Sequence, residues 1–263
     1  MGVLILSLTA CATKIENPVI RLSTTTSVND SGLMAYLQPI FEKDTGYTLE
    51  ITSAGTGAAI EKGRTGDADV LLVHAKASEE EFINEGFGEL RVPFMYNYFV
   101  IVGPEGDPAG VKGSATAAEA FKKIADAGAT FVSRGDDSGT HKAELKIWKA
   151  LELDPTGQPW YVSVGDSMGK TLTVGNEMQG YVFTDKATYL AHENTLSLLL
   201  EETEDMKNTY AMIAITPQRF ADTNFAGAQA FIEWMTSEKA ADLIAKFGLE
   251  QYGEQLFFIL ATQ

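Results

Sequence analysis

From residue 19 onward, short β-rich runs alternate with stretches of helical period. VIRLS (Val19–Ser23) reads as a strand and SGLMAYLQPIFEKDTG as a helix ending near Gly46. YTLEIT (Tyr47–Thr52) alternates at period two, GAAIEKG follows as a short helix, and VLLVH (Val70–His74) reads as a buried strand. Ser78 and Glu81 fit a capping box opening a helix through Asn84. YFVIVGP (Tyr98–Pro104) is a further strand, followed by a helix in Ala115–Ala127, a strand at Thr130–Ser133 and a helix over Gly139–Leu151. The alternation continues to MIAIT (Met212–Thr216). Two amphipathic helices follow, Gly227–Thr236 and Glu238–Phe247, with Phe231, Trp234, Leu243 and Ile244 at apolar positions. Such a pattern specifies an α/β architecture with mainly parallel sheets.

Two soft regions interrupt it. GPEGDPAGVKG (Gly103–Gly113) is the richest Gly/Pro stretch, and HENTLSLLLEETEDMKNTY precedes MIAIT. Two crossings at these places divide the chain into a discontinuous lobe, 19–102 plus 209–263, and a continuous lobe, 103–208. At 263 residues with 45% hydrophobic side chains, the chain is long enough for two modest cores. Acidic residues outnumber basic ones by 36 to 20, and no basic stripe is present, which argues against a nucleic-acid partner.

The N-terminus begins MGVLILSLTAC. An apolar run, Val3–Leu8, before small residues reads as a secretion signal. Leu8-Thr9-Ala10-Cys11 resembles the lipobox of bacterial lipoproteins, which implies acylation of Cys11 and makes 1–18 a signal and tether. No Lys or Arg precedes the apolar run, and Leu6 stands where a myristoylation motif needs Ser or Thr. Cys11 is the single cysteine, so no intrachain disulfide forms. No later run approaches the ~20 apolar residues of a membrane span. A monomer outside the cytoplasmic membrane, touching it only through lipid, is the expectation.

Three segments share one character: STTTS (Ser23–Ser27), SAGTG (Ser53–Gly57) and SRGDDSGT (Ser133–Thr140). Each follows a strand and opens a helix, where ligands of open α/β sheets bind. Helix N-termini present unpaired N–H groups, glycine allows close approach, and Ser and Thr add neutral donors. Any one segment reads equally well as an ordinary N-cap. Three in one chain, one of them carrying Arg134, point to an anion.

Other chemistries fit less well. Gly55-x-Gly57 lacks the third glycine of a dinucleotide fingerprint, since Ile60 stands there, and no GxxxxGK[ST] loop occurs. Asp137 and His141 lie at i, i+4 beside Asp136, a partial metal set without a third ligand. No GxSxG elbow is present. Of the three histidines, His74 ends a buried strand and reads as structural, and His192 lies in a polar stretch. No cofactor, metal site or catalytic residue is assigned. A metal-dependent hydrolase built on Asp136, Asp137 and His141 is the alternative of a different class.

TTTS, SAGTGAAI, GDADVLLVH, MYNYFVIVGP, SRGDDSGTH and YVFTDKATYL occur in this order. Together they resemble the tungstate-binding proteins of bacterial Tup ABC transporters, over nearly the whole chain after residue 19. The resemblance implies a type II periplasmic binding protein, with two α/β lobes closing over an oxyanion and an ABC permease as partner. It implies donors from Thr26 and Ser27, Thr56 and Gly57, and Arg134, Ser138, Gly139 and Thr140. Backbone N–H groups of SMGKTL, at Ser167 and Gly169, complete the set. Phosphate receptors of the same superfamily carry a similar Arg-x-Asp-x-Ser-Gly-Thr turn, in which the aspartate accepts the ligand's proton. Against a fully deprotonated oxyanion, Asp136 is read instead as orienting Arg134. A phosphate- or molybdate-binding receptor of the same fold is the alternative, and molybdate is nearly the size of tungstate.

Overall fold

The computed structural model describes residues 15–260. The expected lipidation site, Cys11, lies outside them. In chain order the elements begin β1 (Val19–Thr25), α1 (Thr26–Asp30), α2 (Leu33–Thr45), β2 (Thr48–Ala54), α3 (Thr56–Thr65), β3 (Val70–Val73), α4 (Lys76–Asn84) and β4 (Gly88–Gly103). They continue with α5 (Ala117–Ala127), β5 (Phe131–Ser133), α6 (Gly139–Ala150), β6 (Tyr161–Ser163), α7 (Met168–Met178), β7 (Tyr181–Asp185), α8 (Lys186–Ala191) and β8 (Ser197–Leu200). After a short 3-10 turn come β9 (Lys207–Ile215), α9 (Phe225–Met235), α10 (Glu238–Lys246), α11 (Leu249–Tyr252) and β10 (Phe258–Ile259).

The strand order is β2-β1-β3-β9-β4-β7-β5-β6. Its two ends are parallel, with β1 between β2 and β3 and β5 between β6 and β7. The centre is antiparallel: β9 pairs with β3 and β4, and β4 with β7. The sheets are therefore mixed rather than mainly parallel. The reason lies in the crossings, because β4 carries the chain out of the first lobe and β9 brings it back, so the two must run in opposite directions. Residues Gly88–Tyr98 of β4 pair with β9, and Phe99–Val102 pair with β7, so one strand serves both lobes.

β4 is far longer than the strand expected at Tyr98–Pro104. Pro93 hides its first half in the sequence pattern. A register shift between Pro93 and Met95 absorbs the missing N–H. The capping box expected at Ser78 and Glu81 is also replaced. α4 begins at Lys76, and the buried Glu79 carboxylate accepts from the Ala75 N–H while pairing with Arg91 of β4 at 2.6 Å.

Helices cover both faces of each sheet. Along β3, Val70 and Leu72 enter the core under α2 and α9, while Leu71 and Val73 enter the one under α3 and α4. Period two with both faces buried makes the run continuously apolar. β4 repeats this in the second lobe: Phe99 and Ile101 pack toward α5 and α6, Val100 and Val102 toward α7. Gly63 permits the close approach of α3, since a Cβ there would come 2.8 Å from Phe82 Cζ and 2.9 Å from Ile215 Cδ1.

Candidate anion-binding site

The three donor-rich turns lie at the C-terminal ends of β1, β2 and β5, each opening a helix. They differ in one respect that the sequence does not display. Ser138 caps α6 in the ordinary way, its hydroxyl accepting from His141 N at 3.2 Å. α1 and α3 have no side-chain cap. Thr25 stands at the cap position of α1 without capping it, and α3 starts after Gly55, which has no side chain to cap with.

The buried side-chain atoms that lack a hydrogen-bond partner concentrate here. Among the described residues there are five, and Thr56 Oγ1, Arg134 Nε and Thr140 Oγ1 belong to the candidate turns. Thr56 is fully buried, Thr140 and Arg134 nearly so. An unpaired buried donor costs about 1–3 kcal/mol. Three in one place form a set of groups that an acceptor-rich ligand would satisfy.

Arg134 links the lobes. Its guanidinium pairs with Asp136 Oδ2 and its Nη2 lies 3.4 Å from Thr26 Oγ1 of the first lobe. Asp136 Oδ1 accepts from Ser138 N at 3.2 Å, so both carboxylate oxygens are occupied. The turn that aims the arginine needs left-handed backbone at Gly135, φ 61°, and a Cβ there would lie 1.8 Å from Ser163 Oγ. Asp137 also adopts positive φ, which aspartate tolerates better than most residues. The turn meets the first lobe again at α3, where a Cβ on Gly57 would lie 3.2 Å from Asp137 Oδ2. Thr26, Ser27, Thr56, Gly57, Arg134, Asp136, Ser138, Gly139 and Thr140 thus gather along one seam.

The hydrogen bonds of Ser167 and Gly169 are local to α7 rather than to this cluster. Ser167 caps α7 by accepting from Lys170 N at 3.3 Å, and its own N–H donates to Asp166 Oδ1 at 2.6 Å. The open side of Gly169 faces His192. Their segment reaches the cluster through Gly165 N, which donates to Arg134 O at 2.7 Å.

His141 does not pair with the Asp137 carboxylate. Its Nδ1 accepts from Asp137 N at 3.1 Å, and burial pushes the imidazole below its ordinary value. Asp137 Oδ2 lies 3.4 Å from Lys142. Among the described residues no three His, Cys, Asp or Glu side chains group as a metal set.

Two buried groups support the seam: Glu144, missed in the sequence, and His74, read there as structural. Glu144 of α6 accepts from Ser133 Oγ at 2.6 Å, Tyr161 Oη at 2.8 Å and Trp148 Nε1 at 3.1 Å, anchoring the helix to β5 and β6 directly behind Arg134. Burial pushes its carboxyl up to about 7 despite these donors. His74, at the end of β3, lies within reach of the Thr25 and Ser27 hydroxyls. Burial takes its imidazole down to about 4, so it is neutral near pH 7. Its place at the end of a strand was already legible in the sequence, and the structure puts it within reach of the STTTS turn.

Two α/β lobes sharing their crossing strands, with hydroxyl, backbone and arginine donors gathered at the seam, define a two-lobed solute-binding protein. Residues 12–239 match the PBP superfamily domain. The chain belongs to that superfamily and, within it, to the family of the tungstate-binding protein TupA. The TupA of Peptoclostridium acidaminophilum is 44% identical, with 97% of this chain and 93% of that protein covered. The structure of TupA from Desulfovibrio alaskensis G20 superposes with a TM-score of 0.81 at 42% identity, covering 93% of this chain and all of that one. The tungstate ABC transporter structure from Geobacter sulfurreducens gives 0.81 at 41%, covering 87% and 98%. Among the described residues no helix is long and apolar enough to cross a membrane.

Proposed function

We propose that this chain is the extracytoplasmic receptor of an ABC importer and that it binds tungstate between its lobes without transforming it. The carrying observation is the set of unpartnered buried donors, Thr56 Oγ1, Arg134 Nε and Thr140 Oγ1, contributed by both lobes. Tungstate is a tetrahedral dianion with acceptor oxygens on every side and no proton to give at neutral pH. Neutral hydroxyls and N–H groups around one arginine match it, and dry contacts of this kind outweigh the screened repulsion of a chain with net charge −16.

The lobes in this reading are 19–102 plus 209–263 and 103–208. Thr26, Ser27, Thr56 and Gly57 approach from the first, and Arg134, Ser138, Gly139 and Thr140 from the second. Asp136 orients Arg134. This role is supported by the pairing of its Oδ2 with the Arg134 guanidinium, while Oδ1 is held by Ser138 N at 3.2 Å. The partner is the importer's permease, the receptor acts as a monomer, and Cys11 carries the lipid tether.

Calorimetric titration of the protein with tungstate, molybdate, sulfate, phosphate and zinc tests the reading. Tight binding of tungstate, with sulfate and phosphate far weaker, is expected. Tight phosphate binding with no response to tungstate would refute it, and molybdate sets the discrimination between ions of like size and charge.

A further inference from the structure

His74 contacts both lobes at the seam. Its Nε2 lies 3.1 Å from Ser27 Oγ and 3.2 Å from Thr25 Oγ1, and those two hydroxyls are 3.2 Å apart. Its Nδ1 lies 2.9 Å from Asn208 Oδ1. Its ring tilts against Tyr210 with centroids 4.9 Å apart. From the second lobe, α6 begins against the same ring: a Cβ on Gly139 would lie 2.4 Å from His74 Cε1.

The direction of hydrogen bonding follows from Asn208. Its amide nitrogen donates to Asn97 Oδ1 and to Tyr210 Oη, both at 2.9 Å, so its oxygen faces the imidazole. In this orientation of the Asn208 amide Nδ1 carries the ring hydrogen, and Nε2 of the neutral ring presents a lone pair. Two hydroxyls, Thr25 and Ser27, meet this single acceptor. One hydroxyl hydrogen goes to Nε2. The other is left without a claim from the ring.

We propose that His74 is a positioning residue for the anion: its Nε2 takes one hydrogen of the Thr25–Ser27 pair, fixes how the pair is turned, and directs the remaining hydroxyl hydrogen at the ligand. Without that acceptor the pair can turn, either hydroxyl donating to the other, and the remaining hydrogen loses its fixed direction. Gly139 ties this order to the second lobe, because the start of α6 packs against the ring. The inference rests on the anion-binding reading and adds to it a residue with no direct ligand contact of its own.

Sodium tungstate titrations of the parent, His74→Gln and His74→Asn test it, each variant first checked for a cooperative unfolding transition. Gln places its amide near the Nε2 position, facing the hydroxyls. Asn reaches only the Nδ1 position, facing Asn208. His74→Asn should bind about ten-fold more weakly, equivalent to about 1.4 kcal/mol, and His74→Gln should recover most of that loss. Nitrogen-15 NMR of the parent's histidines should show His74 protonated at Nδ1, the signal being assigned by its loss in the variants. Equal losses in the two variants, no loss in His74→Asn, or a ring protonated at Nε2 would each overturn the inference while leaving tungstate binding by the parent intact. A parent that ignores tungstate overturns the proposed function, and this inference with it.

Discussion

Glu144 makes stability depend on pH in the opposite sense to most carboxylates. Its carboxyl is buried under α6, and burial raises it from 4.5 to about 7. Between those values the folded chain holds a proton that the unfolded chain has released. Stability is therefore complete below about pH 4.5, falls as pH rises toward 7, and levels off above. The gap corresponds to about 3 kcal/mol, an upper figure because the hydrogen bonds from Ser133, Tyr161 and Trp148 can tighten around the charged form. Glu144→Gln keeps the shape and an acceptor oxygen but cannot titrate. Urea unfolding of both proteins at about pH 5 and about pH 8 isolates the effect, because the other carboxylates are common to both. The parent should lose roughly 1–3 kcal/mol more than Glu144→Gln over that interval. Parallel pH profiles for the two proteins would show that Glu144 is ionised throughout, and the argument from burial would fail.

Arg134→Ala should be the most damaging single change to tungstate affinity, costing about 2–5 kcal/mol, or about thirty-fold to a few thousand-fold, by calorimetry at matched salt. An Arg134→Ala variant that binds like the parent would remove the site from this turn. Gly63→Ala should lower the urea midpoint, since crowding against Phe82 and Ile215 costs about 1–3 kcal/mol and the gain in helix propensity offsets at most ~1. An unchanged or raised midpoint would show that α3 can move away from the sheet freely.

What the sequence displayed, and what it concealed, divides by distance along the chain. Strand and helix periods are local, so VLLVH, the amphipathic helices and the three turns were visible. The mixed sheet was not, because antiparallel pairing of β4 with β9 is decided by how the chain crosses between lobes. β4 itself was half hidden by Pro93, whose effect is absorbed by a register shift against Ala211. STTTS and SRGDDSGT looked alike, yet Ser138 caps its helix while Thr25 does not, a distinction set by tertiary surroundings. His74 reads as structural in the sequence, but its partners Thr25 and Asn208 were hidden because they lie 49 and 134 residues away. Glu79 capped α4 from an unexpected position because Arg91 holds it there.

The place of β9 in the sheet has a consequence for how the molecule is made. β9 lies between β3 and β4, although it is formed by Lys207–Ile215, near the end of the chain. A nascent chain can pair β1, β2 and β3 early, but the first lobe lacks its middle strand until the whole second lobe has been synthesised. Contacts of such long sequence separation make folding slow, since loop closure must be achieved before pairing rewards it. During synthesis the edges of β3 and β4 wait without their shared partner, and the first core under α9 and α10 stays open. In a receptor built this way the first lobe can close its sheet only once β9 has emerged, late in synthesis.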